Sequence, residues 1–208
     1  MIFQKASVCP FGKALLRTIF LIGVLIGPGV LAAQGTPSPS EPLSLSNKAV
    51  LLKVPFKRQT EPNLCGVAAI EMVAGYYGQE LNQSQNQYLR IDANQTTGIT
   101  GATMEVVLRA SDYYTAIFQG TLDRKLTGLY RNLDLKRPLI VMVTSADGKI
   151  SHYAVVTGYD PVKKLIVLSD PAGDANEPFA VASFEAGWKR ANDFTLLAVP
   201  KSQETPTP

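Results

Sequence analysis

The sequence predicts an α+β domain with helices in its first half and an antiparallel sheet in its second. Three observations carry this. Val67, Ile70, Val73, Ala74 and Tyr77 recur at helical spacing. An apolar run over 139–143 is followed by Asp147-Gly148, a dipeptide suited to a tight hairpin. Beyond it, 152–158 and 165–168 read as two more strands separated by the turn-forming Asp160-Pro161-Val162-Lys163-Lys164.

Each element follows in chain order. Residues 49–55 read as an incoming edge strand that Pro55 closes, because proline cannot donate to a ladder. A helix is expected over 64–77, with Asn63 as its N-cap and Gly78 just past its end. Cys65 then lies in its first turn. Shorter helices are expected near 84–89 and 104–113, and a short strand over 115–118. Leu122, Leu126, Leu129 and Leu133 mark one face of another helix, ended before Pro138. After the hairpin strands, a short helix near 183–189 and a strand over 194–199 close the domain.

The domain is expected over 49–200. Residues 1–33 read as a signal peptide: Lys5, Lys13 and Arg17 precede an apolar stretch, and Ala32 and Ala33 offer a cleavage site. The run from Thr18 to Ala33 falls short of the ~20 residues needed to span a bilayer. Gly27-Pro28-Gly29 breaks it further. An exported protein, periplasmic or extracellular, is therefore expected. Membrane contact is expected only if the segment stays uncleaved as an anchor. Residues 34–48 resemble a Pro/Ser-rich linker and 201–208 a disordered tail.

Charge follows the same boundary. The chain carries 20 Lys+Arg against 17 Asp+Glu, and the three basic signal residues account for the whole excess. What remains is formally neutral, with no basic stripe interleaved with aromatics, so no nucleic acid partner is expected.

The chain has 2 cysteines and 1 histidine. Cleavage removes Cys9 and leaves Cys65 as the sole thiol. Exported proteins usually use cysteines in pairs, so a single retained cysteine points to reactivity. A thiol attacks carbonyls as thiolate, and a helix N-terminus and a nearby imidazolium both favour that form. The helix supplies the first for Cys65; His152, at the start of a strand, is the candidate for the second. Gly66 would let substrate or neighbouring backbone approach without a Cβ in the way, and is a candidate substrate contact; Tyr153, beside His152, is a second. The ring needs an acceptor on its other nitrogen, and Asp170, at the end of the next strand, is placed for it. Gln59, just upstream of Cys65, could join the Cys65 backbone N–H in an oxyanion hole. Taken singly, each has a plainer reading: a small buried hydrophobe, a core histidine, a turn-starting Asp-Pro, a loop glutamine. Asp160-Pro161 offers the same dipeptide at the far turn of the hairpin and reads as a turn only.

The conjunction is more specific. The pattern V-P-x3-Q-x5-C-G over 54–66, H-Y-x-V-V-x-G-Y over 152–159 and V-L-S-D-P over 167–171 resembles the C39-type cysteine peptidases of the papain-like superfamily. The resemblance spans the domain, including Phe184-x3-Trp188. It implies a papain-like fold, with the nucleophile helix packed on a C-terminal antiparallel sheet. It also implies Cys65 as nucleophile, His152 as general base and acid, Asp170 as orienting carboxylate and Gln59 as oxyanion donor. The expected substrate is a peptide or protein, such as a leader or secreted peptide, and a membrane export system is a candidate partner. The papain signature C-G-[SA]-C-[WY] is absent. The best-known C39 domains sit on ABC exporters and cut after a double glycine, whereas here there is no Walker A sequence and Leu64 replaces the acidic residue that often precedes Cys-Gly.

Two other functions use the same residues: a peptide-binding module or export chaperone on a peptidase fold, and thiol acyl transfer. No cofactor is expected, and one histidine with one thiol is too few for a usual zinc site. Gly98-x2-Gly101 reads as loop punctuation. The Gln/Asn-rich stretch 79–101 is a candidate cleft lining.

Overall fold

The computed structural model describes residues 43–96 and 98–203. The expected signal peptide over 1–33, the expected linker up to residue 42 and the expected tail beyond 203 lie outside the described residues. The elements run β1 (Val50–Leu51), α1 (Cys65–Tyr76), α2 (Gln83–Thr96), α3 (Gly101–Ala110), β2 (Tyr113–Gln119), α4 (Leu129–Asp134), β3 (Leu139–Thr144), β4 (Ser151–Asp160), β5 (Leu165–Ser169), β6 (Glu177–Ala180), α5 (Val181–Arg190) and β7 (Phe194–Pro200). The strands form one antiparallel sheet in the order β2-β7-β3-β4-β5-β6, with β1 paired to the far end of β4. The α+β class and the helix-on-sheet layout are those the sequence predicts.

β4 is the spine. It pairs with β3 through the Asp147-Gly148 hairpin, where Gly148 adopts φ 73°, and with β5 beyond the 160–164 turn. Val155 and Val156 are wholly buried at its centre. α1 packs on this strand with most of its faces covered. Its small residues, Ala68, Ala69 and Ala74, let it lie inside the core rather than on it. α5 packs on β3, stapled by Phe184 stacked on Trp188 and by the Trp188 indole N–H donating to Phe194 O at 3.0 Å. Trp188 is 1% exposed, so truncation to alanine would cost about 3–5 kcal/mol.

Several boundaries differ from expectation for local reasons. α1 begins at Cys65 with Leu64 in the N-cap position and no side-chain cap, so Asn63 is not the cap. α2 starts at Gln83, where Asn82 and Gln85 form a reciprocal capping box, each side chain accepting the other's backbone N–H, and it runs on to Thr96, well past the expected 84–89. Arg90 then ties α2 to α1 through Glu71 at 3.0 Å. α3 starts at Gly101, earlier than predicted, because the Thr100 hydroxyl accepts the Thr103 N–H.

The helix expected from Leu122 forms only at Leu129. Asp123 takes the Thr121 hydroxyl and the Lys125 N–H on its carboxylate, holding 121–128 as a loop that leaves Leu126 82% exposed. A Cβ on Gly128 would collide with the Asp123 carbonyl, so the loop closes only around glycine. β6 was hidden by Pro178, which the sheet tolerates because β6 is its edge. The stretch 43–48, expected as linker, is fastened where described: Ser46 donates its N–H and hydroxyl to Asp160, and Lys163 holds Ser44. Lys201–Gln203, expected as tail, forms a 3-10 turn anchored on Asp112.

Candidate active site

Cys65 opens α1, where the helix has no side-chain cap and its partial positive charge meets the thiol. The residue is buried at 6% exposure, yet its thiol hydrogen-bonds to the ring of His152. His152 enters β4 opposite Val143 of β3. Its Nε2 bonds the Asp170 carboxylate. With Nε2 engaged, Nδ1 is the nitrogen left for the sulfur. Asp170 follows β5 directly; the β4–β5 register sets Val155 against Ser169, so Asp170 falls alongside the start of β4. The hairpin spacing thus delivers the carboxylate to the ring.

Electrostatics in this cluster are cooperative. Burial on its own would lower the His152 pKa, but the Asp170 hydrogen bond and the hydrogen bond and charge of Cys65 outweigh it and push it up to about 9. Burial raises the Asp170 carboxyl, but the bond and charge of His152, with the Ala172 and Gly173 N–H groups, hold it below the usual carboxylate range. The Ala172 N–H donates to the carboxylate at 2.8 Å, which fixes its rotamer. The ring is therefore braced as an imidazolium at neutral pH, the state that favours a thiolate beside it.

Gln59 lies in the loop before α1. Its backbone N–H donates to Pro171 O at 3.0 Å, joining the cysteine loop to the Asp170 loop. Its side-chain Nε2 lies 3.1 Å from both Glu61 O and Pro62 O, while Oε1 is buried without a partner. One N–H can be shared between two successive carbonyls, which leaves the second hydrogen for another acceptor.

Two expected contacts are corrected. Gly66 does not face substrate: a Cβ there would meet Met104 Cε at 2.5 Å and Ile99 Cγ1 at 2.6 Å, so its smallness serves helix packing. Tyr153 points away from His152, because successive strand residues alternate faces, and it packs edge-on against Phe194 at 5.6 Å. Among the described residues of 79–101 none lines the cleft; α2 packs on α1 instead.

The cleft itself has a volume of about 710 Å³ and runs from the Gln59–Pro62 loop past His152, Ala154 and Asp170 to α5. Phe184, Gly187 and Arg190 of α5 form its far wall, and sequence reasoning missed this role. Phe184 and Gly187 fall one helical step apart, the signal that could have found it. Among the described residues no cluster of His, Cys, Asp and Glu could hold a metal, and no helix is long and apolar enough to cross a membrane.

Similar folds exist among solved structures. The peptidase domain of Streptococcus ComA, a bi-functional ABC transporter involved in quorum sensing, is 22% identical, with TM-score 0.54 over 70% of this chain and 98% of that one. A C39-like peptidase from Bacillus anthracis is 15% identical, with TM-score 0.58 over 74% and 99%. A double glycine motif protease from an AMS/PCAT transporter, in complex with its leader peptide, is 20% identical, with TM-score 0.56 over 73% and 95%. These likenesses concern the fold. No curated protein matches the chain. The sequence model of the Peptidase_C39 like family matches residues 51–195, and the chain belongs to that family.

Proposed function

We propose that this protein is an exported cysteine peptidase that hydrolyses peptide bonds through an acyl-enzyme on Cys65. The observation that carries the reading is a thiol at a helix N-terminus, hydrogen-bonded to a ring whose other nitrogen is held by a half-buried carboxylate. In acylation the Cys65 thiolate adds to the substrate carbonyl carbon. Oxygen gains the negative charge and meets the Cys65 backbone N–H and the Gln59 amide. The C–N bond then breaks as the proton on His152 Nδ1 passes to the leaving amine, which departs and leaves a thioester and a neutral ring. In deacylation the ring takes a proton from water, the hydroxide oxygen adds to the thioester carbonyl, and the acid product leaves Cys65 as thiolate with His152 protonated. Asp170 keeps the ring in one orientation throughout and stabilises its charged form.

Export follows from the basic, then apolar, then small-residue pattern of 1–33, and periplasmic or extracellular leader or secreted peptides are the substrate class. A membrane export system is the partner that would present them. Incubation with a peptide library, read by mass spectrometry, tests this. Hydrolysed fragments that disappear in Cys65→Ala are expected; amine-coupled products would instead indicate acyl transfer. Peptide binding without turnover, unchanged in Cys65→Ala, would reduce the protein to a binding module.

A further inference from the structure

We propose that the cleft beside His152 receives the leaving half of the substrate and selects a large apolar side chain on the residue just after the scissile bond. This rests on the peptidase reading. The leaving nitrogen takes its proton from His152, so it must come within hydrogen-bond reach of that ring. The residue that carries this nitrogen therefore lies against whatever surface the ring shares. His152 and Asp170 line the cleft, whereas Cys65 does not. The acyl half stays on the sulfur; the amine half is the one that meets this surface.

The wall chemistry names the occupant. Arg58, Glu61 and Arg190 also border the cleft, but Val143, Ile150, Ala154, Leu168, Phe179 and Phe184 leave most of the lining surface apolar. Burying an apolar side chain among them is favourable in proportion to the area removed from water.

Gly187 supplies an independent observation. Glycine inside a helix is unfavourable relative to alanine, so a structural reason is expected. At the other helical glycines there is one: a Cβ would come within 2.5 Å of Met104 at Gly66, 2.8 Å of Pro55 at Gly75 and 2.6 Å of Phe194 at Gly101. At Gly187 the nearest atoms are Thr144 O at 3.5 Å and Val143 Cβ at 3.6 Å, ordinary contacts that an alanine would accept. Packing does not require this glycine. The missing side chain leaves room in the cleft it lines.

The experiment uses a peptide that the wild type cleaves, remade with Leu, Phe, Ser or Asp directly after the scissile bond. It compares wild type with Gly187→Ala and Gly187→Leu. Wild type is expected to favour Leu and Phe over Ser by at least about tenfold in kcat/KM. The Leu/Ser ratio is expected to shrink in Gly187→Ala and approach unity in Gly187→Leu. Alanine favours helix, so a folding defect in the larger variant leaves the smaller one to report. Cleavage indifferent to that residue, or a ratio untouched by both substitutions, overturns the proposal and spares the peptidase. Failure to cleave any peptide overturns both.

Discussion

Two Asp-Pro turns flank the same pair of strands, and they do different work. Asp160, the last residue of β4, is 1% exposed and accepts from the Ser46 N–H and hydroxyl and the Val162 and Lys163 N–H groups. Burial would raise its pKa, but those donors bring it down to about 2. Asp170, just past β5, accepts from Ala172 and from His152, and its side chain is 26% exposed beside the cleft. Both carboxylates are held ionised. The difference is the partner: amides and a hydroxyl keep their protons, whereas an imidazole gives its proton up and takes it back. The dipeptide makes a turn in both places, and only the second turn faces a ring.

Exchange of each carboxylate for an amide sharpens that contrast most. Asp170→Asn is expected to lower kcat by about 10²–10⁴-fold, because the ring loses its orienting charge. Asp160→Asn should leave kcat within about twofold, since it touches no reacting group. It should instead lower Tm, as the part-buried N–H donors of Ser46, Val162 and Lys163 lose their best acceptor. Steady-state kinetics and thermal melts of the two variants, side by side, check this. A loss of rate in Asp160→Asn comparable to that in Asp170→Asn would break the comparison.

The next largest effect concerns the oxyanion. Gln59→Ala is expected to reduce kcat by about 10²-fold with KM little changed, the pattern of an interaction made in the transition state. A KM effect alone would mean that Gln59 only shapes the loop.

The pH dependence separates the two ends by sign. His152 is raised from 6.5 to about 9, so its contribution to stability is fully present below 6.5 and is lost as pH rises through 9. Activity is expected to fall on an alkaline limb near 9, and Asp170→Asn should move that limb toward lower pH. Asp160 is lowered from 3.8 to about 2, so its contribution is present above 3.8 and is lost as pH falls toward 2. The Tm deficit of Asp160→Asn should therefore be full above pH 3.8 and shrink as pH falls toward 2, and the alkaline limb should not move. The smallest effect is Ser46→Ala, which removes one of several donors to Asp160 and should lower Tm slightly with no kinetic change.

The His152–Asp170 contact was legible in the sequence to within a residue, because a short turn returns the end of β5 to the start of β4; the irregularity between Val156 and Gly158, which no turn signal announces, then sets the side chains on one face. Cys65 beside His152 was not legible from spacing, because nothing local determines which strand a helix N-terminus meets. Only the assembled pattern over 54–66, 152–159 and 167–171 carried it. The Tyr153 error was avoidable, since a neighbour in a strand points to the opposite face. The Gly66 error was not, because the helix face that meets Ile99 and Met104 depends on where α3 packs. Leucine periodicity over 122–133 failed where Asp123 captured local donors more strongly than helix propensity could compete.

The central claim is that Cys65 and His152 act as an activated pair braced by Asp170. Its most direct test is the rate of Cys65 alkylation by iodoacetamide as a function of pH, in wild type and Asp170→Asn. The account predicts alkylation at pH 6 at least about tenfold faster than free cysteine, a change in rate near pH 9 as the ring loses its proton, and loss of the pH 6 advantage in Asp170→Asn. A wild-type profile that follows that of free cysteine, unchanged by the variant, would contradict it.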